Sequence, residues 1–217
     1  MSNSADCACA VSNNGLVLAA NGGAMQKIIL RAFVTAALAI MTNGCAFVPL
    51  DAKLVPLAPM PQSTIGAGTA IHFRFIDERD KPALGKRAVS TGTEASVRAA
   101  GLPAFMEKSL RDGLSAKGYG LVTGQAGAAS ATFHLRAFQF RVEEGFGGGN
   151  QNMLALLRVD SMRGDKTYTN VYRFYSAEQV MFNSGDTVIN ARINAALSSI
   201  LQQALSDPKL DQLLIAK

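Results

Sequence analysis

Apolar and polar residues alternate from Ala70 to Asp77, with Ile71, Phe73 and Phe75 on one parity and His72 and Arg74 on the other. A period of two predicts a half-buried strand. The polar run Asp77-Glu78-Arg79-Asp80-Lys81-Pro82 predicts a turn, and Gly85 to Ser90 a second short strand. The period then lengthens. From Pro103 to Lys117, Phe105, Met106, Leu110 and Leu114 recur at helical spacing, with Pro103 suited to the first turn and Gly118 to the C-cap. A strand is expected from Tyr119. Three long β segments follow, at 132–142, 152–163 and 167–178, separated by the glycine-rich stretch 145–150 and by Arg163-Gly164-Asp165. In the first of these the apolar phase slips by one near Ala137, between Leu135 and Phe138, which predicts a bulge. The last of the three is rich in Tyr and Phe, as strands prefer. Ile189, Ile193, Ala196, Leu197, Ile200 and Ala204 then form one stripe of a helix over 186–205, and Asp207-Pro208 starts a final helix through Leu214. The order β-β-α-β-β-β-β-α-α predicts an α+β domain: an antiparallel sheet of four to six strands with helices packed on one face.

The N-terminal part follows another logic. Lys27 and Arg31 precede the apolar run Ala32–Met41, and Thr42-Asn43-Gly44-Cys45 comes next. A spanning helix needs roughly 20 apolar residues, and this run has about half that. Basic residues, a short apolar stretch and a small residue before a cysteine are the layout of a lipoprotein signal peptide over 25–44. Cleavage is expected between Gly44 and Cys45, with lipidation of Cys45. Ala46 rather than Asp after the cysteine points to the outer membrane, and so to a lipid-anchored domain on its periplasmic face. Thr42 and Asn43 depart from the usual lipobox. Residues 1–24 lack a basic segment and read as an extension ahead of a start at Met25, which sets aside Cys7 and Cys9. Residues 45–69, with Pro49, Pro56, Pro59 and Pro61, read as an extended tether, and 70–217 as the periplasmic domain.

Counted from Cys45, about 170 residues remain, enough for one domain with its own core. Cys45 is their only cysteine, so hydrophobic burial rather than a disulfide must hold the fold. The net charge of +5 and pI near 9.3 come from singly scattered basic residues, a poor match to a nucleic-acid surface. The stretch 145–149 lacks the lysine of a phosphate loop and is expected to be a hairpin tip. His72, His134, Asp77 and Glu143 lack metal-ligand spacing, so no metal or cofactor is expected. Asp77, Arg79 and Asp80 read as a charged turn in which the side chains satisfy the local backbone, and also as a candidate partner-contact loop.

Several features occur together in the order seen in one family. They are the leader, the first strand running into Asp77-x-Arg79, the passage MEKSLRDGLSAKGYGLV, the strand around Tyr172-Arg173-Phe174, and a closing helix running into LSDPKLDQLL. In this the chain resembles the YajG-like lipoproteins of Gram-negative bacteria over most of its mature length. The resemblance implies an envelope lipoprotein and carries no enzymatic activity with it. The expectation is a binding or accessory module for an unidentified envelope protein in transport or cell-wall assembly, with no catalysis. Two alternatives are an apolar-ligand binder, using a groove lined by Phe138, Phe140 and Ile193, and a hydrolase with a pocket around Asp77, Arg79 and His134.

Overall fold

Strand β6 (Ala129–Gly145) is the spine of the domain, and the other strands are placed by what they pair with along it. On one side it runs antiparallel to β7 (Gly148–Arg163), which pairs in turn with β8 (Lys166–Val180). On its other side two strands share its length. β2 (Ala70–Asp77) lies parallel to 129–135, and β3 (Gly85–Ser90) reaches it in parallel at Phe140. β5 (Gly120–Val122) pairs outside β2; β4 (Thr93–Arg98) and then β1 (Leu50–Asp51) pair outside β3. The computed structural model describes residues 49–58, 61–90, 93–122, 129–145, 148–180 and 185–216. The expected 1–24 extension, the 25–44 leader, Gly44 and Cys45 lie outside the described residues.

The antiparallel sheet of four to six strands is therefore corrected to a mixed sheet, of eight strands among the described residues. Alternation tells which face a residue occupies, not which strand lies beside it. The meander β6–β8 is antiparallel as expected. The parallel pairs β2–β6, β2–β5 and β1–β4 join segments too far apart in the chain for short turns to reveal.

Helices α1 (Leu102–Ala116), α2 (Asp186–Leu205) and α3 (Pro208–Ile215) pack on one face of the sheet, as anticipated. α1 buries Leu102, Met106, Leu110 and Leu114, spaced four apart, and ends at Gly118, whose φ of +88° provides the left-handed turn. Phe105, expected on the same face, is only half-buried. The stripe expected for α2 is wholly buried, against Phe133, Phe138, Phe140 and Met153 in the same core. Among the described residues no helix is long and apolar enough to cross a membrane.

Two polar clusters fix the closing helices. The Lys117 ammonium lies 2.5 Å from both Asp211 oxygens and donates to the Leu205 carbonyl at 2.8 Å, while the Tyr119 hydroxyl donates to Asp211 at 2.9 Å. One buried ion pair thus joins the ends of α1, α2 and α3. Asp207 caps α3 through the Lys209 amide at 2.9 Å. It also accepts from Tyr168 and Tyr172 at 2.6 Å and from Asn170 at 3.1 Å, which ties the helix to β8. Burial raises the Asp207 carboxyl, but the donors from Tyr168, Tyr172 and Asn170 outweigh it and bring it down to about 2.

Residues 49–58 and 61–69, expected to be part of an extended tether, are largely irregular past β1 and are also bonded to the domain. Beyond β1, the Lys53 and Val55 amides each donate at 2.8 Å to the side-chain carbonyls of Asn190 and Asn194 on α2. The Ser63 and Gly66 amides donate at 2.8 Å to the Ala116 and Lys117 carbonyls at the end of α1. The proline-rich segment is a strap on the domain, held through backbone groups that composition does not report.

The contact of β3 with β6 is unusually close. A Cβ on Gly85 would stand 1.6 Å from the Phe140 carbonyl oxygen. Gly85→Ala must push β3 off β6, at a cost of about 1–3 kcal/mol from overpacking against rigid backbone. A lowered urea midpoint, with faster amide exchange at Phe140, is the expected reading.

Candidate functional site

β2 and β3 do not meet along β6. β2 ends at Asp77 opposite Leu135, and the Glu78 amide still reaches the Leu135 carbonyl at 3.0 Å. The chain then swings out and returns at Leu84, whose carbonyl accepts from the Phe140 amide at 2.7 Å. Between these points Arg136 to Gln139 have no strand beside them on that edge, a break of about 13 Å at the usual rise per residue. The register slip between Leu135 and Ala137 is the expected bulge. It also switches parity. Before it, odd-numbered residues aim their backbone groups at this edge, as Leu135 does; after it, even-numbered ones do, as Phe140 does. Phe138, two residues before Phe140, therefore turns its N–H and C=O toward this edge, where they are covered, since the residue is only 1% exposed.

A notch of about 430 Å³ occupies this place. Its rim carries Arg79, Asp80, Lys81, Lys86, Arg136 and Arg141. Three of the cations are already committed. Arg79 forks onto Asp77, Nε to Oδ1 at 2.9 Å and Nη2 to Oδ2 at 2.8 Å, with its side chain 5% exposed. Its amide donates to Asp77 at 3.2 Å and its Nη1 to the Pro82 carbonyl at 3.4 Å, so this pair folds the loop on itself. The Arg79 guanidinium holds the Asp77 carboxyl below the usual carboxylate range. Lys86 pairs with Glu94 at 2.6 Å, and Arg136 with Glu78 at 2.6 Å. Among the described residues, Lys81 and Arg141 make no ion pair.

On the face of the sheet opposite the helices, His134 lies between two carboxylates, Nδ1 at 2.7 Å from Glu78 and Nε2 at 3.3 Å from Asp160. Hydrogen bonding to His134, then to Arg136, holds Glu78 ionised to lower pH than usual. Burial raises the Asp160 carboxyl, but donors from Thr169 and Arg158 bring it below the usual value. This chain of contacts pins the loop after β2 to β6 and β7.

The residues expected from sequence divide accordingly. Asp77 and Arg79 form the self-satisfying turn; Asp80 faces the notch. His72 aligns with Ser130, whereas His134 aligns with Ile76, so the two imidazoles sit four residues apart along adjacent strands, about 13 Å. Asp77 faces Arg79 rather than His134. Phe138, Phe140 and Ile193 are fully buried in a filled core, so the groove expected between them is closed. A different groove, also about 430 Å³, lies between the strap and α1, lined by Pro56, Leu57, Phe105, Gly113 and Leu205. Arg136 was not singled out in the sequence, and Glu78 and Lys81 were read only as part of the charged turn. The phase slip near Ala137 was the available sign, because it marks where this edge changes partner.

A family of uncharacterized lipoproteins matches residues 56–214, strap and domain together. The chain belongs to this YajG-like family. None of the curated proteins matches it. Solved structures share only loose likeness. Protein XCC0632 from Xanthomonas campestris is 12% identical, with a TM-score of 0.46, over 73% of this chain and 92% of that one. A putative neuraminyllactose-binding hemagglutinin homolog from Helicobacter pylori is 10% identical, with a TM-score of 0.40, over 76% and 96%. The hypothetical protein CT253 from Chlamydia trachomatis is 9% identical, with a TM-score of 0.35, over 70% and 100%. Membership of the lipoprotein family makes the chain an envelope-associated lipoprotein.

Proposed function

We propose that this lipoprotein is anchored to the periplasmic face of the outer membrane through a diacylglycerol on Cys45. From there it acts as a binding or accessory module for an envelope protein in transport or cell-wall assembly, without catalysis. The observation that carries the reading is the break in the sheet: a notch beside β6 rimmed by charged side chains, among them Asp80, Lys81 and Arg141. Three of the cations around it are spent on carboxylates, Arg79 on Asp77, Lys86 on Glu94 and Arg136 on Glu78, which suits holding a shaped surface better than moving a proton. The family match and the leader layout at 25–45 support the anchor.

Two experiments test this. Intact mass from native membranes should begin at Cys45 with added acyl chains. Cys45→Ser should move most of the protein out of the membrane fraction, since stable anchoring takes two or more acyl chains. An unacylated chain retaining residues 25–44 overturns the anchor. A photo-reactive residue at Asp80 should give a discrete cross-linked product in the envelope, where one at Glu107 on α1 gives none. Equal patterns at the two positions overturn the notch as the contact region. The groove between the strap and α1 supports a second reading, an apolar ligand; there Gly113→Ala should weaken a fluorescent fatty-acid probe while leaving the Asp80 cross-link intact.

A further inference from the structure

We propose that the groove between the strap and the start of α2 seats the headgroup of a zwitterionic phospholipid, and so holds this end of the domain against the bilayer. The proposal deepens the anchor reading above and rests on lipidation at Cys45.

Leu50 is buried and pairs with Val97, and the Ala52 amide donates to the Arg98 carbonyl at 2.7 Å, so the strap is fixed to the domain from Leu50 onward. An extended chain spans at most about 3.6 Å per residue, which keeps Leu50 within about 18 Å of Cys45. A diacylglycerol on Cys45 places that residue at the headgroups. The β1 end of the domain therefore stays near the bilayer, whereas a tether running on to residue 69 would let it stand well away.

A groove of about 700 Å³ lies at this end, lined by Leu50, Asp51, Lys53, Val55, Thr187 and Asn190 among others. Exposure alternates along the strap: Asp51, Lys53 and Val55 are exposed, Ala52 is buried and Leu54 half-buried. In an extended segment, residues two apart point the same way, roughly 7 Å from one another. An acid, a cation and an apolar side chain thus stand in a row on the groove. Among the described residues neither Asp51 nor Lys53 makes an ion pair, while Asp186, the other acid there, is bound by Arg87. Val55 is 59% exposed and Val188, in the first turn of α2, 43%, with Ala191 exposed beside it.

A headgroup bearing both a phosphate and an ammonium matches this row. The phosphate meets Lys53, the ammonium meets Asp51, and the glycerol and first methylenes meet Val55 and Val188. A purely anionic headgroup would bring Asp51 a like charge.

The test uses the acylated full-length protein in vesicles doped with a nitroxide-headgroup lipid. Acylation leaves the Cys45 sulfur in a thioether and cleavage removes Cys7 and Cys9, so an introduced cysteine is the one thiol open to a fluorophore. Gly185→Cys marks the groove end, where a Cβ meets nothing within 4 Å. Asp165→Cys marks the other end, since neighbouring Arg163 bonds the Leu214 carbonyl on α3. In vesicles of phosphatidylethanolamine and phosphatidylcholine the Gly185 label should be quenched at least about threefold more, because α2 alone separates the two ends by about 30 Å. Lys53→Glu, at an exposed position, should cut that quenching about twofold, the scale of one surface charge pair. Phosphatidylglycerol vesicles should cut it likewise, and Asp51→Lys should restore it there. Equal quenching of the two labels overturns the proposal, and a mass that still begins at acylated Cys45 leaves the anchor standing. Quenching at Gly185 that ignores both Lys53→Glu and the change of lipid also overturns it, because chain length alone would then hold the domain. A chain without acyl groups removes the anchor and the proposal together.

Discussion

Asp211→Ala is expected to destabilise the domain by about 3–5 kcal/mol, the usual cost of stranding one member of a buried ion pair. Lys117 and Asp211 are only 7% and 6% exposed, so the ammonium left behind cannot recover its hydration without opening the junction of α1, α2 and α3. Among the described residues the Leu205 carbonyl would be its one remaining partner, and the Tyr119 hydroxyl would lose its acceptor. Urea unfolding should show the midpoint falling with an unchanged slope. The double variant Lys117→Met with Asp211→Leu separates the two meanings of such a loss. It should recover most of the stability, because a buried pair contributes little over an apolar replacement of similar volume. Failure to recover would mean that the bond to Leu205, not the ion pair, holds the helices.

Asp207→Ala should cost about 3 kcal/mol. About one comes from the lost helix cap and the rest from buried hydroxyls without an acceptor. Tyr172 is 5% exposed and donates its hydroxyl to Asp207. Asp207→Asn keeps an acceptor and removes the charge, so its loss should be smaller. The same carboxylate gives a pH dependence of defined sign. Its folded value of about 2 lies below the usual 3.8, so its contribution is present in full above about pH 4 and fades as pH falls toward 2. The depression corresponds to roughly 2 kcal/mol. Acid titration of stability should therefore be shallower between pH 4 and 2 in Asp207→Asn than in the parent chain.

Local structure was largely legible in the sequence. The alternation at 70–77, the stripe of α2 and the phase slip near Ala137 each reported a property of one segment, and each reappears as read. The partners were not legible. Nothing in Ile71-His72-Phe73 says that it lies beside Ala129 to Ala131 in parallel, and nothing in the proline-rich strap announces that its amides reach Asn190 and Asn194. At the site, Asp77, Arg79 and Asp80 were visible as a charged cluster. Glu78 looked like one more charge in the run, and its meeting with His134 and Arg136 depends on pairing across the sheet. Side-chain chemistry is written along the chain, whereas backbone partnership is settled only when distant segments compete for one edge.

The forked spine also orders events in time. The paired ends of β6 and β7, and those of β7 and β8, stand only two residues apart in the chain, so their ladder closes through local contacts. β2 and β3 are made earlier in the chain, yet both must wait for β6, because Ile71 pairs with Ala129 and Gly85 with Phe140. Loops that long close slowly. Pulse-labelled refolding should protect the β6–β8 amides first and those of β2 later. The N-terminal half would meanwhile pass through a period with its apolar strand edges bare.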